Sequence, residues 1–443
     1  MSLKGKSLNR ICYWNKEIET LPRKNLENLQ LRRLKETLER VKAVSFYQEK
    51  LNAFSVSPQK ITSVGDVRNL PFTTKEDLRE QYPYGLLTVP LEDCVRLHAS
   101  SGTTGRSVAV LHTERDIETW SQLVARCLCG VGVGKSDVFQ NMAGYGLFTG
   151  GLGFHYGAQK VGVLTIPAGA GNSRRQINLM MDFGTTVVHL MPSFALYLMK
   201  VFHEMGVDPR TDTNLRKMFL GAEPHSEETR QRIEDYYGVE AYNSYGLSEM
   251  NGPGVSFECH LKNGLHIWED NYILEVIDPA GDKRLPDGEV GEVVYTTLNR
   301  EAMPLLRYRS RDLASLIPEP CPCGRTHRRI SRLAGRLDDM FIWKGVNIFP
   351  MQIEQVIMDF SEVGGTYLVE LKSIDDIDTM TVRIEVNESC LKEEIKGLLK
   401  VRITEALQSE ILVRPEVELT LPGSIPSSDT GKAKRVIDNR KIK

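Results

Sequence analysis

Seven consecutive residues, Ser100-Ser101-Gly102-Thr103-Thr104-Gly105-Arg106, concentrate hydroxyls, glycines and one cation in a single stretch. Glycines let backbone N–H groups approach an anion closely, and hydroxyl and guanidinium donors add to them, so these residue types suit a phosphate. Further polar clusters follow. Gly221-Ala222-Glu223-Pro224 comes after an apolar run, and so does Tyr242-Asn243-Ser244-Tyr245-Gly246-Leu247-Ser248-Glu249. Arg307-Tyr308-Arg309-Ser310-Arg311-Asp312 sets one carboxylate beside three arginines. Near the end, the small-residue run from Gly423 to Gly431 presents Lys432.

Regular elements must position these clusters. Cys94 to Leu97 reads as a short strand delivering the glycine-rich loop. Val108–His112, Val161–Ile166, Thr186–Met191, Lys217–Leu220 and Glu240–Asn243 read as further strands, with helices over Asp116–Cys129 and Arg174–Phe183. Leu26, Leu29, Leu34, Leu38 and Val41 recur at helical spacing and predict one surface helix across Lys24 to Leu51. Thr74 and Asp77 stand at capping-box spacing and open another. The alternation predicts an α/β fold, with a large N-terminal domain of layered sheets and helices over 1–336. After Gly335-Arg336-Leu337-Asp338-Asp339 the pattern becomes βαββαβ, predicting a small α+β domain over 337–443.

The 443 residues suffice for two or three domains, and a net charge of -2 exerts no general pull toward nucleic acid or an anionic membrane. No apolar run reaches the length of a membrane span, and the basic N-terminus lacks an apolar signal core. Eight scattered cysteines favour a reducing, cytoplasmic setting. Two decoys fail. Gly134-Lys135-Ser136 has Cys129 where a phosphate-loop motif requires glycine, and Gly144-Tyr145-Gly146 has Thr149 where a dinucleotide fingerprint requires its third glycine.

Cys259, His266, Cys321 and Cys323 are the ligand types of a tetrahedral, structural zinc site. The Cys-Pro-Cys spacing is tighter than the usual Cys-x-x-Cys, and His260 and His327 compete with His266 for the fourth place. Free buried thiols are the alternative.

In this order the polar clusters resemble the AMP-forming acyl/aryl-CoA ligases of the adenylate-forming superfamily, most closely the phenylacetate–CoA ligase branch. The match runs from about Phe72 to the C-terminus, and is most specific at Asn243 to Val255 and Gly335 to Glu354. The resemblance implies ATP-dependent conversion of an aryl acid to an acyl-adenylate, then transfer to coenzyme A with release of AMP. Ser100 to Arg106 would hold the β- and γ-phosphates; the family more often has lysine at the Arg106 position. Gly221, Ala222 and Glu223 would flank the adenine, with Tyr245 over its face and Gly246 and Ser248 alongside. Glu249 would bind Mg²⁺, Asp312 the ribose hydroxyls with Arg336 nearby, and Lys432 the α-phosphate during adenylation. Asp338 would be the hinge of the small domain.

The run Tyr145 to Gly153 is similar to the family's aryl pocket, with Tyr145 and Phe148 as walls and Gly150 and Gly151 leaving room for a flat ring. Phenylacetate fits, and a benzoate-like or indole acid fits the same description. The resemblance also extends to enzymes that transfer AMP to a deazaflavin cofactor, and a non-catalytic nucleotide-binding relative is a third reading. The partners implied are the aryl acid, ATP and coenzyme A, without nucleic acid or membrane, and a homodimer.

Overall fold

The structure, a computed structural model, describes residues 12–99, 107–374, 377–426 and 433–440. The glycine-rich loop 100–106 and Lys432 therefore lie outside the described residues. The chain divides into two units, Met1–Gly169 with Tyr242–Arg332, and Ala170–Ala241 with Leu333–Lys443.

In the first unit, the long helix expected from Lys24 to Leu51 is two helices, Arg23–Val41 and Ser45–Ala53. Val44 breaks the run by adopting an extended conformation and burying its side chain. The Thr74–Asp77 capping box forms as the spacing predicts: Asp77 N–H donates to Thr74 Oγ1 at 3.2 Å and Thr74 N–H to Asp77 Oδ2 at 2.7 Å. Cys94–Ala99 pairs antiparallel with Ala109–Thr113, so these strands bracket the glycine-rich loop. Thr113 then caps the helix Glu114–Gly130 through a second reciprocal box with Asp116.

A second helix, Thr149–Val161, lies against Glu114–Gly130. Glycine disfavours helix, which is why the glycine-rich run did not read as one. Packing overrides propensity here, because a Cβ on Gly153 would collide with Trp120 and one on Gly157 with Val124. Val161 ends this helix and Gly162 turns left-handed at φ 83°, so the strand expected over Val161–Ile166 is only Leu164–Ile166. It pairs parallel with Val138–Asn141.

The unit continues with Glu240–Leu247 pairing antiparallel with Gly252–Glu258, then Leu265–Ile267, Arg329–Ile330 and Leu316–Ile317. Tyr272–Ile277, Gly291–Thr297 and Tyr308–Ala314 form a separate antiparallel ladder.

In the second unit, Val187–Leu190 and Lys217–Gly221 run parallel, with helices Ser173–Asp182, Pro192–Met205 and Glu227–Tyr237. The expected division after residue 336 is sequential, whereas this unit also draws in Ala170–Ala241. Arg232 on Glu227–Tyr237 donates to the carbonyls of Met358, Phe360 and Val363, and Glu354 accepts from Ser226 N–H and Thr229 Oγ1.

The βαββαβ order needs one correction. The strand expected at Met340–Lys344 is Phe341–Trp343, which among the described residues pairs with Val346–Ile348 alone, across a two-residue turn of Lys344 and Gly345, both at positive φ. The fourth strand of the sheet is instead Val436–Asn439, parallel to Val363–Ile374 with Val369 opposite Val436. The sheet runs Glu416–Thr420, Ile377–Val386, Val363–Ile374, Val436–Asn439, backed by helices Pro350–Met358 and Glu393–Ile411.

Candidate functional site

The motif strand Glu240–Leu247 carries Tyr245 into the first unit's interior, where its hydroxyl donates to Asp312 Oδ2 at 2.6 Å. That is a short, charge-assisted bond between groups only 7% and 1% exposed. Asp312 sits on Tyr308–Ala314, its own N–H on Ser310 Oγ at 3.1 Å and that hydroxyl on Val293 O at 2.6 Å. Two of the neighbouring arginines pair with other carboxylates, Arg307 with Glu275 at 2.9 Å and Arg309 with Glu292. The Tyr245 ring stacks toward Tyr295 at 6.3 Å and 29°.

Gly246 permits the tight hairpin that follows, since a Cβ there would collide with the Gly252 carbonyl. Ser248 and Glu249 form a single turn, Ser248–Met250, closed by Asn251 in the left-handed region at φ 79°. Glu249 is buried, and its carbonyl accepts from the Arg300 guanidinium. One carboxylate at this depth can share a hard cation such as Mg²⁺ with phosphate oxygens, the donor set that ion prefers.

Tyr145 is held by Asn141, whose amide donates to its hydroxyl at 3.1 Å and to Gly151 O at 2.7 Å. Burial pushes the Tyr145 phenol up to about 12, so it stays neutral. Phe148 precedes the helix Thr149–Val161 and is 52% exposed. Gly150 lies in the first turn of that helix, and a Cβ on Gly151 would collide with the Gly144 carbonyl. Gly151 therefore provides close backbone packing; the space at its Cβ is taken by the chain itself.

In the second unit, Gly221 ends the strand Lys217–Gly221 and Ala222 follows at φ 68°, a left-handed conformation costly for a residue with a Cβ. Glu223 then accepts two backbone N–H groups, Ser193 at 3.1 Å and Ala433 at 2.6 Å. The residue next to Lys432 in sequence is thus fixed on Glu223. Arg336 and Asp338 also lie in this unit, with Arg336 Nη2 3.8 Å from Asp338 Oδ2, and Asp338 belongs to the single turn Leu337–Asp339.

The four predicted metal ligands converge. The Sγ atoms of Cys259, Cys321 and Cys323 and a nitrogen of His266 all lie within 4.8 Å of one another, and all four residues are buried. Cys259 and Cys321 sulfurs are 3.8 Å apart, the edge expected of a tetrahedron whose zinc–sulfur bonds are about 2.3 Å. Cys323 Sγ stands 3.3 Å from His266 Nε2, while His266 Nδ1 donates to His327 O at 3.1 Å, orienting the ring as a ligand. His327 is engaged elsewhere, its Nε2 3.0 Å from Ile18 O. Hydrogen bonds from Cys259, Cys321 and His266 hold the Cys323 thiol well below its ordinary range, favouring the ligating thiolate. The donor set and spacing fit zinc.

Two features had no sequence signal. The Glu223–Ala433 bond joins residues 210 positions apart through a backbone N–H. His98 and His112, buried on the strands bracketing the glycine-rich loop, meet Trp120, His98 edge-on and His112 stacked.

A family model described as AMP-binding enzyme matches residues 26–299, and another described as AMP-binding enzyme C-terminal domain matches 345–440. The chain is 41% identical over 441 residues to a phenylacetate-coenzyme A ligase of Thermus thermophilus, covering 96% of this chain and 99% of that one. It is 40% identical over 429 residues to a phenylacetate-coenzyme A ligase of Escherichia coli, covering 96% and 97%. Its fold is similar to that of a 2-hydroxyisobutyryl-CoA ligase solved in the postadenylation state with an acyl-AMP. There the TM-score is 0.91 at 28% identity, over 99% of this chain and 95% of that one. No helix among the described residues is long and apolar enough to cross a membrane.

Proposed function

The chain belongs to the AMP-binding enzymes, in their phenylacetate–CoA ligase branch, and on that premise we propose that it joins phenylacetate or a close arylacetate to coenzyme A. The observation that carries this reading is sequence identity of 40–41% over 96% of the chain to four phenylacetate-coenzyme A ligases. In the first step a carboxylate oxygen attacks the α-phosphorus of ATP, an acyl–O–P bond forms, and diphosphate leaves. In the second the coenzyme A thiol attacks the acyl carbon, the C–S bond forms, and AMP leaves.

The first step sets anion against anion, so positioning and charge neutralisation dominate. Ser100 to Arg106 hold the β- and γ-phosphates, and Lys432 places its charge at the α-phosphate. The Glu223 bond to Ala433 supports that placement by anchoring the residue beside Lys432. Asp312, fixed by Tyr245, accepts the ribose hydroxyls; Gly221, Ala222 and the Tyr245 ring flank the adenine. Glu249 would hold Mg²⁺, which supplies further neutralisation of the phosphates. Tyr145 and Phe148 face the aryl ring.

Residues 337–443 act as the small domain, turning about Asp338 between the two steps. A short polar turn suits such a hinge. The Cys259, His266, Cys321 and Cys323 cluster would hold a structural zinc. The eight scattered cysteines support a cytoplasmic setting, and the family resemblance supports a homodimer. Coenzyme A-dependent AMP release from ATP across a panel of aryl and aliphatic acids tests the assignment.

A further inference from the structure

We propose that His98 is a positioning residue that sets the acid-pocket loop against the strand leading into the glycine-rich loop. The proposal rests on reading Tyr145 to Phe148 as the wall of the acid pocket. Leu147 O accepts two hydrogen bonds from Cys94–Ala99: the Ala99 N–H at 2.9 Å and the His98 imidazole Nδ1 at 3.0 Å. A carbonyl only accepts, so Nδ1 carries the proton and the tautomer is fixed. The next residue after Ala99 is Ser100, the first of the expected phosphate-binding residues. One side chain and one backbone N–H therefore tie the loop carrying Tyr145 and Phe148 to the start of the loop for ATP.

The imidazole cannot drift. His98 is 1% exposed and meets His112 and Trp120 edge-on, each with ring centroids 5.6 Å away. Trp120 is in turn pinned by its indole N–H on Pro253 O at 2.8 Å, in the strand that follows Glu249. It also fills the space beside Gly153 and Gly252 that any side chain there would need. The imidazole, the pocket helix and the motif hairpin thus share one aromatic wedge. Burial keeps His98 neutral, with the charge of Arg96 opposing protonation further.

The test compares His98→Ala with His98→Asn, whose amide N–H can stand where Nδ1–H stands. Losing one hydrogen bond should raise KM for phenylacetate by about tenfold in His98→Ala, with KM for ATP within twofold of wild type. His98→Asn should restore the acid KM. Hydrogen–deuterium exchange over residues 144–150 reads the same anchor without any substrate: it should rise in His98→Ala and return in His98→Asn. Unchanged exchange in His98→Ala, or equal effects of both substitutions, overturns the proposal. Raised exchange restored by asparagine sustains the anchor even where no acid of the panel is activated, a result that would instead remove the assignment of the acid.

Discussion

Glu223 binds the backbone N–H of Ala433 at 2.6 Å with one carboxylate oxygen and that of Ser193 at 3.1 Å with the other. A residue expected to flank the adenine thereby also fastens Ala433, the residue immediately after Lys432. From Ala433 the chain passes directly into Val436–Asn439, the fourth strand of the C-terminal sheet. Arg435, between them, stands 3.7 Å from Glu354 Oε2. If Glu223 flanks the adenine and Lys432 acts at the α-phosphate as proposed, this one carboxylate couples the two.

Glu223→Ala should therefore slow acyl-adenylate formation by roughly ten- to a hundredfold, the loss expected of a hydrogen bond to a charged acceptor. Lys432→Ala should abolish that step to the limit of detection. Neither substitution should slow thioester formation from supplied acyl-adenylate. Pre-steady-state assays of the two halves separate these outcomes, and equal loss in both halves would remove the assigned roles.

Tyr245→Phe deletes the donor to the buried Asp312 carboxylate while keeping the ring. The expected result is a fall of about tenfold in kcat/KM for ATP, with KM for the acid nearly unchanged. A larger effect on the acid than on ATP would place Tyr245 elsewhere in the mechanism.

Much of this was legible in the sequence because polar motifs are local. Tyr245, Glu249 and Asp312 each stand in short runs, and Cys321 and Cys323 stood out by residue type, although their spacing is tighter than the usual Cys-x-x-Cys. The helix over Thr149–Val161 was not legible, because its glycines lower local propensity and act only where Trp120 and Val124 arrive from another helix. The fourth strand of the C-terminal sheet was hidden for a related reason. Val436–Asn439 is short and half polar, and gains its meaning from pairing with Val363–Ile374 far earlier in the chain. The antiparallel ladder from Tyr272 to Ala314 likewise depends on long-range pairing.

Purified protein should carry one zinc per chain by elemental analysis. Serine at both Cys321 and Cys323 should remove it and lower the melting temperature by roughly 5 °C or more, with smaller effects on either KM. Arg325 explains why stability suffers: it donates to Cys323 Sγ and pairs with the buried Glu19 at 2.7 Å, so the ligand loop anchors the short helical turn Lys16–Glu19. Metal-free native protein of undiminished stability would end the zinc assignment.

His189 supplies a pH signature. Burial pushes its imidazole from 6.5 down to about 3, so the folded state holds it neutral. The unfolded chain then binds the extra proton between those values. Stability is complete above about pH 6.5 and falls as pH drops toward 3, by up to about 1.4 kcal/mol per pH unit. Urea midpoints at pH 7.5 and 5 should therefore converge in His189→Gln relative to wild type. Parallel losses in the two proteins would show that this histidine does not contribute.

The most direct measurement is AMP and thioester formation from ATP and phenylacetate, with and without coenzyme A. The account predicts AMP release that depends on both the acid and the thiol, matched mole for mole by phenylacetyl-CoA. An adenylate that forms but never transfers to coenzyme A, or no AMP with any aryl acid despite ATP binding, would contradict it.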